Sequence, residues 1–257
     1  MRRGRVERRA VLQSVQGDVQ LRLFAVDFLL SREQVLSRAL ACCLRELGGI
    51  RNPSPEEVHR LTLCDRHSVV LSLMRAERSE ISTAAQCPGC GRMAELSLDL
   101  GRIRVPRHHP VRGLTVARPT RGRVEKRMMR LPRPADVEAA ADAVGVVAAC
   151  MNCSREEARR WRSAAERELA RADPLGELEI VGQCPECGRQ LSAQYDLIGT
   201  WLQQVRRRTE DLLQEIHVLA SCYHWSENEI LRLPAPRRQA YLDLCAEQGA
   251  ETAMASA

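Results

Sequence analysis

Residues 86–100 read QCPGCGRMAELSLDL, and residues 183–197 read QCPECGRQLSAQYDL. At a constant offset of 97 residues, Cys87, Pro88, Cys90, Gly91, Arg92, Asp99 and Leu100 fall on Cys184, Pro185, Cys187, Gly188, Arg189, Asp196 and Leu197. A C-x-x-C turn puts two thiolates on one face with backbone N–H groups aimed at the sulfurs, and the residue after the second cysteine needs positive φ. Gly91 and Gly188 meet that need. One turn supplies two ligands, whereas structural zinc takes four in a tetrahedron. The expectation is a split zinc ribbon made by two CPxCG hairpins, with one zinc per chain held by Cys87, Cys90, Cys184 and Cys187. Four thiolates leave no position for water, so hydrolytic zinc chemistry is not expected. Closing the long intervening loop costs about 4 kcal/mol beyond a constant. Zinc binding in small peptides contributes roughly 10 to 16 kcal/mol, so the metal can bridge the two halves. A thioredoxin-like pair would need one C-x-x-C at a helix N-terminus after a strand, which the twofold repeat fits poorly.

The rest of the composition points to helices. The chain has 257 residues, 44% hydrophobic but only 3% aromatic, a balance that suits aliphatic helix packing and a mainly α fold with a small β component. The formal charge is +6, and Lys126 is the only lysine. Arginine and alanine enrichment with almost no lysine matches the codon usage of a GC-rich genome. The basic stretches 1–9 and 102–133 lack interleaved aromatics that would stack on bases. No segment approaches the ~18 apolar residues of a membrane span, and the basic N-terminus is followed by no apolar signal region. A cytoplasmic location is expected, and the 11 cysteines read as metal ligands and core residues rather than disulfides.

Along the chain, residues 1–16 are expected to form a disordered basic tail or a weakly held strand. Residues 17–80 form an N-terminal helical region, 81–100 and 178–197 the two ribbon halves, and 101–177 an inserted loop and helical segment. Residues 198–248 form a C-terminal helical region, and 249–257 a disordered tail. Residues 19–28 alternate partly and suggest a strand. Ser31 caps a helix ending at Gly48 and Gly49, and Ser54-Pro55-Glu56-Glu57 combines a cap, a helix-starting proline and a capping glutamate. Ser154 with Glu157 and Ser226 with Glu229 repeat the capping box. Residues 101–133 read as extended chain or loop with a strand near 114–117, and Pro134 opens a helix to about Ala149. Cys150 and Cys153 have C-x-x-C spacing without the proline and glycine of a knuckle, so helix-end packing is expected, with a metal-ligand pair as the alternative. Cys64, Cys222 and Cys245 read as buried thiols, and His217 as half-buried.

No HExxH, phosphate loop or nucleophile elbow occurs, and the chain is not expected to be an enzyme. The aromatics Tyr223, Trp225 and Tyr241, with Arg237 and Arg238, suggest either the core of a small helical subdomain or a surface for a protein partner.

With these residues in place, the chain resembles the baseplate-hub assembly chaperone family of T-even-type phages and its relatives in phage-tail-like contractile injection systems. The match rests on Asp65-Arg66 before the apolar run 69–74, the two knuckles with Asp99-Leu100 and Asp196-Leu197, and the terminal pattern. That pattern comprises residues 217–220, 223–226 and 229–231, then Arg237-Arg238 and Tyr241-Leu242. Cys64 stands where family members commonly have glycine, and the arginine-rich 101–133 stretch has no counterpart. The resemblance implies a non-enzymatic protein that assembles or forms part of a contractile-tail baseplate, with other tail proteins as partners and incorporation into the particle as one outcome. The alternative is a zinc-ribbon protein that binds nucleic acid.

Overall fold

The computed structural model describes residues 10–13, 19, 22, 23, 25–104, 113–120 and 122–255, with side chains as far as residue 248. About 53% of the chain is helical and 22% strand, so the fold is mainly α with a β component. Among the described residues no helix is long and apolar enough to cross a membrane.

Local signals start most elements. Ser31 caps helix α1 (Arg32–Cys43), its hydroxyl accepting from the Gln34 N–H at 3.3 Å. The helix does not run on to the glycines. It gives way at Cys43 to strand β2 (Leu44–Leu47), and Gly48-Gly49 turn the chain into β3 (Ile50–Arg51). Ala10–Leu12, inside the expected tail, forms β1 on the other side of β2. Residues 1–9 and 14–18 lie outside the described set. Val19, Arg22 and Leu23 are helical rather than extended. Val19 and Leu23 are buried one helical turn apart, a spacing that a partly alternating sequence conceals.

Ser54 forms the full capping box with Glu57 at the head of α2 (Pro55–His59). Thr62 caps α3 (Leu63–Glu77), which buries Val69, Val70, Leu71, Leu73 and Met74. The two knuckle hairpins follow as expected: β4 (Glu80–Gln86) with β5 (Met93–Asp99), and β8 (Leu178–Gln183) with β9 (Gln190–Tyr195). Between them the strand expected near 114–117 is present as β6 (Leu114–Thr120), and it pairs with β7 (Arg123–Met129) in a hairpin that the sequence did not announce, whereas residues 105–112 lie outside the described set. The helix opened by Pro134 is split into α4 (Pro134–Ala139) and α5 (Ala143–Met151), because Asp142 caps the second piece on the Gly145 N–H. Ser154 caps α6 (Arg155–Ala172), but its capping box is incomplete, since Glu157 pairs with Arg127 of β7 instead. Helix α7 (Leu197–Tyr223) is followed by α8 (Glu227–Arg232), with the full Ser226–Glu229 box, and by α9 (Ala235–Ala255). The last helix therefore crosses most of the expected disordered tail, and only 256–257 lie outside the described set.

Buried apolar side chains among the described residues gather in three clusters. The largest joins α1, α3, both knuckle hairpins and the first turns of α7 around Leu36, Leu40, Met74, Leu100, Ile180 and Trp201. The insert has its own core of Val116, Met129, Val147 and Trp161 with the alanines of α6. Leu212, Ile216, Leu219, Ile230 and Cys245 form the third, so α7 spans two cores. Polar links join the insert to the main body. The Leu63 N–H donates to the Pro132 carbonyl at 2.9 Å, and His67 Nδ1 meets Asp173 at 2.7 Å.

Asp136 fixes the start of α4 within the insert, accepting from both Arg130 guanidinium nitrogens and from the Arg133 N–H. The Arg130 hydrogen bonds, helped by that N–H and opposed by burial, hold its carboxyl below the usual range. A depressed folded-state pKa gives stability that is complete above the unfolded value, about 3.9, and is lost as pH falls through the folded value. Asp136→Asn is therefore expected to lower stability at neutral pH and to flatten the acid limb, read as the urea midpoint across an acid titration.

Candidate metal centre

The hairpins β4–β5 and β8–β9 pack face to face, β4 against β9 and β5 against β8. The close approach needs Gly182, where a Cβ would stand 2.6 Å from the Leu96 side chain. This brings the two turns together, and the turns are near copies. The Cys87 N–H donates to the Arg92 carbonyl and the Gly91 N–H to the Cys87 carbonyl, at 2.8 and 2.9 Å. The equivalent pairs at Cys184–Arg189 and Gly188–Cys184 have the same lengths. Gly91 and Gly188 have φ of 73° and 72°, in the left-handed region that a β-carbon disfavours.

The sulfurs of Cys87, Cys90, Cys184 and Cys187 all lie within 4.8 Å of one another, close enough to bind a metal ion. Contacts run across the hairpins, with Cys87 Sγ 3.5 Å from Cys187 Sγ and Cys90 Sγ 3.6 Å from Cys184 Sγ. Cys87 and Cys184 are buried, and Cys90 and Cys187 are exposed. The Cys90 and Gly89 N–H groups pull the Cys87 thiol down to about 6, against burial. At Cys90 the Arg92 N–H pulls down, but burial and the neighbouring sulfurs push the thiol up to about 12. Four sulfurs this close cannot all be thiolates without a cation among them. The donor set therefore fits a metal ion and gains its full charge only with one.

Side chains of each turn also reach across to the other. Arg92 of the first turn meets Glu186 of the second at 3.5 Å, and the Arg189 side chain lies over Gly89. The repeated Asp-Leu is a cap followed by a core anchor. Asp99 accepts from the Gly101 N–H and Asp196 from the Gly199 N–H, while Leu100 and Leu197 are buried in the main core. The repeat carried this signal in plain sight.

The remaining candidates lie elsewhere. Tyr223, Trp225 and Tyr241 pack on one another, with ring centroids 4.6, 4.8 and 5.5 Å apart, beside the third cluster. Arg238 is turned inward at 6% exposure and bonds Glu215 at 3.0 Å and the Leu233 carbonyl at 2.9 Å. Arg237 is exposed and reaches over the Tyr241 ring at 5.8 Å. Cys150 belongs to the insert core with Cys153 packed against it. Cys64 and Cys245 are buried as expected, whereas Cys222 and His217 are exposed, because the α7 stripe facing the third core runs through Leu212, Ile216 and Leu219.

The fold and site thus define a mainly helical protein with a four-cysteine site, close enough to bind a metal ion, where two hairpins meet. No family model, curated protein or solved structure matches the chain.

Proposed function

We propose that the chain holds one structural zinc ion and works, without catalysing a reaction, as an assembly factor or component of a contractile-tail baseplate. The observation that carries the metal reading is the convergence of four sulfurs, two from each hairpin. A tetrahedron with zinc–sulfur distances of about 2.3 Å has sulfurs about 3.8 Å apart, close to the cross-hairpin separations of 3.5 and 3.6 Å. Cys87, Cys90, Cys184 and Cys187 would hold the ion and complete a split zinc ribbon. Zinc with four thiolates supplies cross-linking rather than chemistry, which leaves the activity to the surfaces that the ribbon positions.

The baseplate setting rests on the resemblance in Asp65-Arg66, the paired knuckles and the terminal pattern. Deletion of the gene in its native host, followed by imaging of sheathed tails, tests it. Loss of assembled tails is the expected result, and normal particles would overturn the reading. The nucleic-acid alternative draws less support from the charges. Arg92, Arg102, Arg118, Arg127 and Arg130 each face a carboxylate, so these arginines do not form an open cationic track.

A further inference from the structure

The insert hairpin has two unlike faces. Val116 and Met129, both at most 1% exposed, turn inward to the second core, and Arg118 and Arg127 turn inward with them. Their guanidinium carbons lie 5.0 and 5.7 Å from the centre of the Trp161 ring, and both arginines are neutralised, Arg118 by Glu125 and Arg127 by Glu157. The strand register sends the alternate residues outward: Thr115 opposite Met128, Ala117 opposite Lys126 and Pro119 opposite Val124. Val124 is 62% exposed and Met128 54% exposed, with Lys126 between them also in solvent.

This outer face is apolar around a single cation. Among the described residues the inward Arg118 and Arg127 each face a carboxylate, whereas Lys126 and Arg123 of the same hairpin face none. Arg123 stands at the turn on the other alternation, so Lys126 is the cation set between Val124 and Met128 on the outer face. Val124 and Met128 contribute little to the fold while they stand in solvent, so covering them with an apolar partner would be favourable.

We propose that the outer face of β6–β7 docks a segment of a partner protein that lays apolar side chains over Val124 and Met128 and sets a carboxylate on Lys126. The proposal rests on the reading that this chain acts through protein contacts, and it names where one contact is made. An acidic and apolar segment suits the face because it would neutralise Lys126 while covering its neighbours.

The test places a photo-cross-linking residue at Val124 in the native host, with the same residue at Glu166, on exposed α6, as the control. The expected result is a cross-link at position 124 and none at 166, to a peptide in which apolar residues flank Asp or Glu. A synthetic copy of that peptide should bind the purified chain. Lys126→Glu should weaken that binding about tenfold through like-charge repulsion, and changing the peptide's acid to lysine should restore it. Unchanged thermal midpoints of the Lys126→Glu and Val124→Ser variants would show that the fold is intact. No cross-link at 124, a cross-link to a second copy of this chain, one to nucleic acid, or an affinity indifferent to Lys126 would each overturn the proposal. The parent reading fails separately. If tails are normal in the deletion strain while the cross-link persists, the surface stands and the baseplate setting falls.

Discussion

Replacing Cys184 with serine is expected to abolish metal binding and remove most of the protein's stability, the largest single-site effect in the chain. The side chain is buried, and its sulfur is 3.6 Å from that of Cys90 on the opposite turn. A serine hydroxyl is not a thiolate at neutral pH, so three ligands would remain around the ion. A closed structural zinc site contributes about 10 to 16 kcal/mol in small peptides, as much as the whole stability of an ordinary domain, about 5 to 15 kcal/mol. The measurements are the metal-to-chain ratio by elemental analysis, near one in the native protein and near zero in the variant, and the urea midpoint of both. A chelator should move the native protein to the same low midpoint. Cys222→Ser, at an exposed cysteine outside the cluster, should change neither quantity. A metal-free chain as stable as the metal-loaded one would sink the structural role.

Arg66→Ala is the second large effect, expected to destabilise by about 3 to 5 kcal/mol, the range for a buried ion pair that loses one partner. Arg66 is completely buried on α3. Its guanidinium bonds the Glu33 carboxylate at 2.5 Å, the Glu33 carbonyl at 2.7 Å and the Ser37 hydroxyl at 3.0 Å, tying α3 to the first turns of α1. Burial pushes the guanidinium below its ordinary pKa and Glu33 opposes that shift, so the pair holds only while both members are present. Removing the arginine strands a carboxylate whose side chain is 14% exposed. Urea unfolding of Arg66→Ala, and of Arg66→Met with Glu33→Leu, separates the causes. The paired apolar replacement should recover most of the loss. A loss below about 1 kcal/mol in Arg66→Ala would mean that the pair behaves as a surface salt bridge.

The partner of Arg66 is Glu33, 33 residues away, which nothing in the local sequence designates. Arg238 is similar. Its neighbourhood in sequence suggests either a subdomain core or a partner surface, and on the helix its side chain falls toward Glu215 of α7. The β6–β7 hairpin was obscured because arginines occupy its inward positions. Their charge broke the apolar alternation that announces a strand, and it took Trp161 and two carboxylates to make those positions interior.

What the sequence determined by itself is local in physical origin. The capping boxes at Ser54 and Ser226 close hydrogen bonds between residues three apart, and the CPxCG turns bond within six residues, so both are written in adjacent letters. The repeat at an offset of 97 residues carried that local reading to a four-cysteine site. Tertiary structure alone decided the rest: the change from helix to strand between Cys43 and Leu44, the division of α7 between two cores, and the cross-contacts of Arg92 and Arg189. These depend on which surfaces meet, and burial energy is set by the area two distant segments hide from water together. The four cysteines thus name their site in sequence, whereas the hairpins that bring their sulfurs within 4.8 Å are held by a core assembled from segments far apart in the chain.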